Sequence, residues 1–417
     1  MSRKKISVLI LSYYMYCPPI SGGVKRMLAP VLNMDREAGI EFSIMYVVHT
    51  SKDLQQCDDY FSQLPQIDFF HGTLTNGTFQ YDYEFNPDNF PKQIWFTLNK
   101  NFLDSVLKEV SKKNYDIIQV ENTQLSWVVP KLRLVTEAKI ILDCQNLEWL
   151  IYERWLPYAK PADCDMVNES HRQLMNWEKT VYGWYDDIFC ISPVEKKIVE
   201  NIASDVNVHY VPSGAGVNDD EYIPKNIDKK PYDLIFVGSM AWFPTTDALT
   251  WLLTDVMPIV WKKRPKTKLE VIGSDKPDKD IAKLLYLNKR ITFWGAVHNE
   301  VPFLHKSKIF VSPIRIGAGV RLKNPTAWVA HLPLVATSLS VEGLECSDGF
   351  DVLIGDTPEI FAAHILNLLD NPVLRESLAK NAYETYEKKY STKRLMEIWK
   401  EAYYSVMDKN PQGRKTR

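Results

Sequence analysis

No window of this 417-residue chain approaches 18 uninterrupted apolar residues, so the sequence encodes no helix able to span a membrane. Cysteine is sparse. Cys17, Cys57, Cys144, Cys164, Cys190 and Cys346 are scattered, with no Cys-x-x-Cys pair. That excludes a disulfide framework or a zinc knuckle, and several of the six sit in apolar runs where buried, reduced thiols are expected. A reducing compartment, the cytoplasm, follows. Charge of one sign is also missing. Lys and Arg total 50 against 52 Asp and Glu, a net charge of −2, so nothing draws the whole chain toward nucleic acid or an anionic membrane. His71, His171 and His298 have no metal-ligand spacing. Gly-x-Ser-x-Gly, Walker A and Gly-x-Gly-x-x-Gly patterns are absent, as are solenoid repeats and low-complexity tracts. Met1–Lys5 before Ile6–Leu11 mimics a leader peptide, but the apolar run is short, Pro18-Pro19 follows and no small-residue cleavage site is present. A first buried strand is the better reading.

What is present is enough chain for two domains, each with its own core. Strands are expected at Ile6–Leu11, Phe42–Val48, Asp116–Val120, Lys139–Asp143 and Ile188–Ser192, and again at Tyr232–Val237, Lys268–Ile272, Ile291–Trp294, Ile309–Pro313, Leu334–Thr337 and Asp351–Ile354. Their Ile, Val and Leu runs lack polar alternation, as parallel strands covered on both faces do. Helices are expected at Gly23–Glu37, Thr97–Lys112, Met166–Tyr182, Asp247–Lys262, Pro358–Leu369, Pro372–Tyr390 and Thr392–Met407. Ser51–Pro91 reads as irregular decoration. The alternation predicts an α/β protein of two doubly wound, Rossmann-like domains: residues 1–192, residues 193–390, and a terminal helix with a basic tail, 391–417, that packs back on the first. Proline and glycine punctuate Ser192–Lys230, where the boundary should fall.

The stretch Ile309–Leu344 carries the most chemistry. A buried strand enters Arg315-Ile316-Gly317-Ala318-Gly319-Val320-Arg321-Leu322-Lys323, which opens a helix; a second strand ends at Glu342-Gly343. Glycines after a strand let backbone N–H groups approach an anion, and the helix dipole points its positive end there. Arg321 can grip a phosphate through two hydrogen bonds while Lys323 acts as a point charge. The pattern describes a diphosphate seat.

Gly317-x-Gly319-x-Arg321-Leu322-Lys323, Leu332-Pro333-x-Val335-x-Thr337 and Glu342-Gly343-Leu344 resemble, in that order, the donor segment of glycosyltransferase group 1, the GT4-like family of the GT-B fold. The resemblance implies two Rossmann-like domains facing a cleft and a UDP- or GDP-sugar donor. It also implies a glycan or lipid-linked acceptor, no nucleic acid, and a retaining reaction without a metal or other cofactor. Residence in the cytoplasm, with peripheral contact to the inner face of the membrane and a glycosyltransferase partner subunit, would suit polysaccharide assembly. Phe236-Val237-Gly238-Ser239-Met240 resembles the opening of the donor domain, and Pro18–Gly23 the glycine loop of the first domain. By that likeness Gly22, Gly23, Gly238, Ser239, Gly317, Gly319, Thr326, Glu342 and Gly343 bind the nucleotide sugar, and Arg321, Lys323 and Gln145 support transfer.

The sequence departs from the family at telling places. Asp143-Cys144-Gln145-Asn146-Leu147-Glu148 has Gln145 where a histidine is usual, and an amide cannot become cationic. The two customary acids fall on Ala318 and Thr326, and His331 replaces a glycine. These changes keep a second reading open: a pseudo-glycosyltransferase that binds or scaffolds without transfer. A third, a sugar-nucleotide epimerase on the same fold, would need acid–base residues that the sequence does not place. Asp163-Cys164-Asp165 has the spacing of a metal–nucleotide site in the other glycosyltransferase fold, but helix capping explains it better.

Overall fold

The computed structural model describes residues 5–408 except 20, 36–37, 76–89, 217 and 225–229. The chain divides into two units, Met1–Pro212 with Leu395–Arg417, and Ser213–Arg394.

The first unit is built on a parallel sheet of β1 (Ile6–Ser12), β2 (Ile40–Val48), β3 (Ile67–Leu74), β4 (Ile117–Glu121), β5 (Lys139–Cys144), β6 (Asp187–Cys190) and β7 (Asn207–Tyr210). The order β3-β2-β1-β4-β5-β6-β7 places the reversal between β1 and β4. The second unit carries β8 (Tyr232–Val237), β9 (Leu269–Ile272), β10 (Ile291–Gly295), β11 (Ser307–Ser312), β12 (Leu334–Ala336) and β13 (Leu353–Ile354) in the order β10-β9-β8-β11-β12-β13, also parallel, reversing between β8 and β11. Both are doubly wound α/β sheets. Val8, Leu9, Ile10 and Leu11 are fully buried, as are Ile309 and Val311, because helices cover both faces of the central strands.

Ser51–Pro91 is more regular than its composition implied. Ser51–Ser62 is a helix whose cap Thr50 accepts from the Asp53 N–H at 3.1 Å. Ile67–Leu74 is an edge strand parallel to β2. The helix buries only Cys57 and Phe61, and β3 is half exposed, so neither shows a strong apolar pattern. The part of this region at 76–89 lies outside the described residues, as does the basic tail. The helix expected over Asp247–Lys262 is two segments, Phe243–Trp251 and Met257–Lys263, joined by a π-helical turn at Leu252–Val256. Pro258 lies in the first turn of the second segment, where its missing N–H is tolerated. Pro358 and Pro372 begin helices as expected, behind the caps Thr357 and Asn371. Asp163 holds an N-cap position but makes no side-chain capping bond, contrary to the capping expected of it.

Candidate functional site

In the second unit the predicted donor residues gather at the carboxyl ends of the strands. Gly317 has φ +138° and Gly319 φ +72°, conformations that a side chain resists. A Cβ on Gly317 would lie 2.8 Å from the Arg321 guanidinium, so glycine makes room for arginine there. Arg321 Nη1 donates to the Gly319 carbonyl at 2.8 Å, folding the cation back across its own loop. Lys323 Nζ donates to the Val237 carbonyl at 2.9 Å, which brings it to the end of β8, beside Gly238 and Ser239. Gly238 has its own reason: a Cβ would meet the Thr245 methyl at 2.2 Å. Ser239 Oγ donates to Asp275 Oδ2 at 2.8 Å. The helix that follows Arg321 is only Lys323–Val329, seven residues, so the two cations and the loop N–H groups carry more of the positive field than the helix dipole does.

Two buried polar residues missed in the sequence tie this loop to the next. Asn324 is fully buried, and its Nδ2 donates to the Ser340 carbonyl at 2.7 Å. Ser340 Oγ is 2.5 Å from Ser312 Oγ at the end of β11. The pair holds the Arg321–Lys323 turn against the loop bearing Glu342 and Gly343, whose φ is +85°. Arg315 grips Asp247 with two hydrogen bonds, 2.7 and 3.1 Å, anchoring the other side of the glycine loop.

Thr326 behaves otherwise than a ribose contact requires. It is 4% exposed, and its Oγ1 lies 2.8 Å from the Leu322 carbonyl and 3.2 Å from that of Ala215. Its one O–H therefore serves main-chain oxygens. His331 takes φ +52°, the left-handed position after a helix that glycine usually fills. Its ring stacks on Tyr383 with centroids 4.0 Å apart.

In the first unit the other predicted residues meet at the ends of β1, β4 and β5. Gly22–Asn33 is a helix capped by Ser21. A Cβ on Gly23 would fall 2.0 Å from the Tyr14 hydroxyl and 2.5 Å from Gln145 Oε1, so Gly23 is where these two side chains close on the helix. Gln145 Nε2 donates to Glu121 Oε2 at 2.7 Å. Glu121 Oε1 accepts from Gln119 Nε2, whose own Oε1 accepts from Tyr403, each at 2.7 Å. The Gln145 amide nitrogen thus donates to Glu121 and, at 3.5 Å, to the Gly23 carbonyl. Burial pushes the Glu121 carboxyl well above its usual range, reinforced by the charge of Asp143. Asp143 is fully buried and held by Arg26, Nε to Oδ2 at 2.9 Å and Nη2 to Oδ1 at 2.5 Å, while Arg26 Nη1 donates to the Val211 carbonyl at 2.7 Å. An arginine among Val24, Met27, Leu28 and Val31 was the signal for this pair, and sequence reasoning passed over it. Asn122, next to Glu121, is held at φ +64°, a strained position with no sequence signature. Among the described residues, no three His, Cys, Asp or Glu side chains assemble a metal-ligand set.

Residues 231–371 match the family model described as Glycosyl transferases group 1. The match lies within the second unit. The matched segment contains Gly238, Ser239, Arg321, Lys323 and Glu342. The chain is 28% identical over 176 residues to an uncharacterized 44.6 kDa protein in the cps region of Klebsiella pneumoniae. The match covers 40% of this chain and 45% of that protein, less than half its length. Sucrose-phosphate synthase from Thermosynechococcus elongatus superposes with a TM-score of 0.73 at 14% identity, over 97% of this chain and 100% of that one. A variant of S. aureus TarM, solved with Fondaparinux, alpha-GlcNAc-glycerol and UDP, gives 0.70 at 12%, over 97% and 100%. The pneumococcal O-GlcNAc transferase GtfA, solved with UDP and GlcNAc, gives 0.67 at 11%, over 97% and 100%. At these identities the likeness establishes the fold, which is GT-B.

Proposed function

We propose that this chain transfers a sugar from a nucleotide-sugar donor, of UDP or GDP type, to a glycan or lipid-linked acceptor. The observation that carries the reading is the seat in the second unit. Arg321 and Lys323 converge with the glycine loop on the carboxyl ends of β8 and β11, within the group 1 segment. There the departing diphosphate would meet fixed N–H donors and two cations, and stabilising that charge lowers the barrier as the sugar becomes oxocarbenium-like. No protein nucleophile and no metal enter this scheme, and the anomeric configuration would be retained. UDP in the TarM and GtfA structures supports the UDP alternative, and a relative from a cps region supports a role in polysaccharide assembly.

A specific observation favours a second reading. Gln145 directs its amide nitrogen to Glu121 and the Gly23 carbonyl, Ala318 offers a methyl group, and Thr326 turns inward. A binding subunit partnered with another glycosyltransferase would tolerate all three. A thermal-shift panel of UDP-, GDP-, ADP-, CMP- and dTDP-sugars, followed by a transfer assay with the donor that shifts, separates the readings. Sugar transfer confirms the enzyme. Binding without turnover in the presence of suitable acceptors identifies the subunit, and no shift from any donor removes the nucleotide seat.

A further inference from the structure

The near-neutral total hides a local excess. Residues 261–290 hold ten Lys and Arg against four Asp and Glu, a net +6, in a chain whose net charge is −2. Most of the acids are occupied. Glu270 is buried and accepts from Trp294 Nε1, Asp275 accepts from Ser239 and Ser274, and Asp278 caps the helix Lys279–Leu287. Asp280 lines the groove beside Lys283.

The topology concentrates the charge. β9 and β10 run parallel with Ile291 beside Leu269, and the Leu269 N–H donates to the Arg290 carbonyl at 2.9 Å. The turns bearing Lys266 and Lys268, and Lys289 and Arg290, therefore lie side by side at the amino end of the sheet. This is the end opposite Gly238 and Lys323, so the surface is no part of the nucleotide seat. A groove there is lined by Leu253, Trp261, Lys283, Leu287, Lys289 and Arg290, with the Arg290 guanidinium 4.0 Å from the Trp261 ring centroid. At its lip the last turn of helix Lys279–Leu287 presents Tyr286 at 66% and Leu287 at 74% exposure.

We propose that this face docks on an anionic phospholipid surface. Lysines on flexible stems around a protruding tyrosine and leucine match a bilayer interface: the cations meet the headgroups while the apolar tip enters the acyl boundary. A bare polyanion would use the charge but would leave Tyr286 and Leu287 without a partner. The proposal stands apart from the donor reading, because the surface and the nucleotide seat occupy opposite ends of the sheet.

The test is co-sedimentation of the full chain with vesicles of phosphatidylcholine alone and of phosphatidylcholine mixed with phosphatidylglycerol, at low and moderate salt. The expected result is binding to the mixed vesicles only, weakened by salt. Lys283→Glu with Lys289→Glu should cut partitioning about tenfold or more, and Tyr286→Ser with Leu287→Ser should also lower it. Lys108→Glu with Lys112→Glu, on a helix of the first unit, should leave it intact. Unchanged melting temperature and UDP affinity show that each variant is folded. Equal loss in the Lys108/Lys112 variant, unchanged binding in the Lys283/Lys289 variant, or binding to RNA but to neither vesicle would overturn the proposal.

Discussion

Arg321 owes its position to the absence of a side chain four residues earlier, and that dependence gives the sharpest test of the donor seat. Arg321→Ala should abolish UDP binding in titration calorimetry while the melting temperature stays within a few degrees, since a loop cation contributes little to the core. Lost binding together with a collapsed melting curve would make Arg321 structural instead. Thr326→Val should change nucleotide affinity by less than about twofold, because the hydroxyl already serves main-chain carbonyls in the interior. Gly23→Ala would drive a methyl group into the Tyr14 hydroxyl and should cost about 1–3 kcal/mol in urea unfolding. Adding Tyr14→Phe should recover part of that loss; no recovery would mean that the Gln145 contact, not Tyr14, fixes the glycine. At this scale the sequence named the residues but not their posture. Glycine spacing and paired cations are written in the chain. The direction of the Gln145 amide comes from Glu121, 24 residues away, and Thr326 turns inward onto Leu322 in its own turn and onto the distant Ala215.

Secondary structure was most legible where burial was complete. The central strands of both sheets announced themselves as unbroken apolar runs, and helices beginning at Pro358 and Pro372 carried their own start signals. The edge elements did not. Ser51–Ser62 and β3 are half solvated, so tertiary pairing with β2 decides their conformation where local pattern is weak. Titratable groups behave in the same context-dependent way. On the helix Cys164–Val181, Glu178 is fully buried, and burial, reinforced by the charge of Glu148, raises its carboxyl to about 8. Because the folded state favours the protonated form, its contribution to stability is complete below about pH 4.5 and is lost as pH rises toward 8. Glu178→Gln should therefore flatten the decline in melting temperature across that window. Parallel pH profiles for the two proteins would show that Glu178 does not drive the decline. In the second unit, Asn324→Ala would leave the buried Ser340 carbonyl without its donor, at a cost of about 1–3 kcal/mol, and should also weaken UDP binding through the loosened loop.

The two units own separate cores, and the segment that matches the family model lies wholly in the second. UDP at about a hundred times its dissociation constant should add about 2.7 kcal/mol to the unit that binds it. In calorimetry the shift should fall on the transition of Ser213–Arg394, identified by its loss of response in Arg321→Ala.

The helix Thr392–Asp408 gives this architecture a history as well as a shape. From Leu395 onward it belongs to the first unit. Trp399, Tyr403 and Val406 are buried there, Tyr403 reaches Gln119, and Tyr404 donates to the Ala38 carbonyl at 2.8 Å. The first unit is thus begun before the second is made and finished after it. At about 5–20 residues per second, the ribosome takes roughly 10–40 s to synthesise the intervening unit. Through that interval Phe42 and Phe189 lack the aromatic rings that cover them in the finished protein. The second unit, complete in one continuous stretch, can fold before the first has its last piece. A nascent chain arrested before Leu395 should therefore expose its amino-terminal half to protease while Ser213–Arg394 is already resistant once clear of the ribosome.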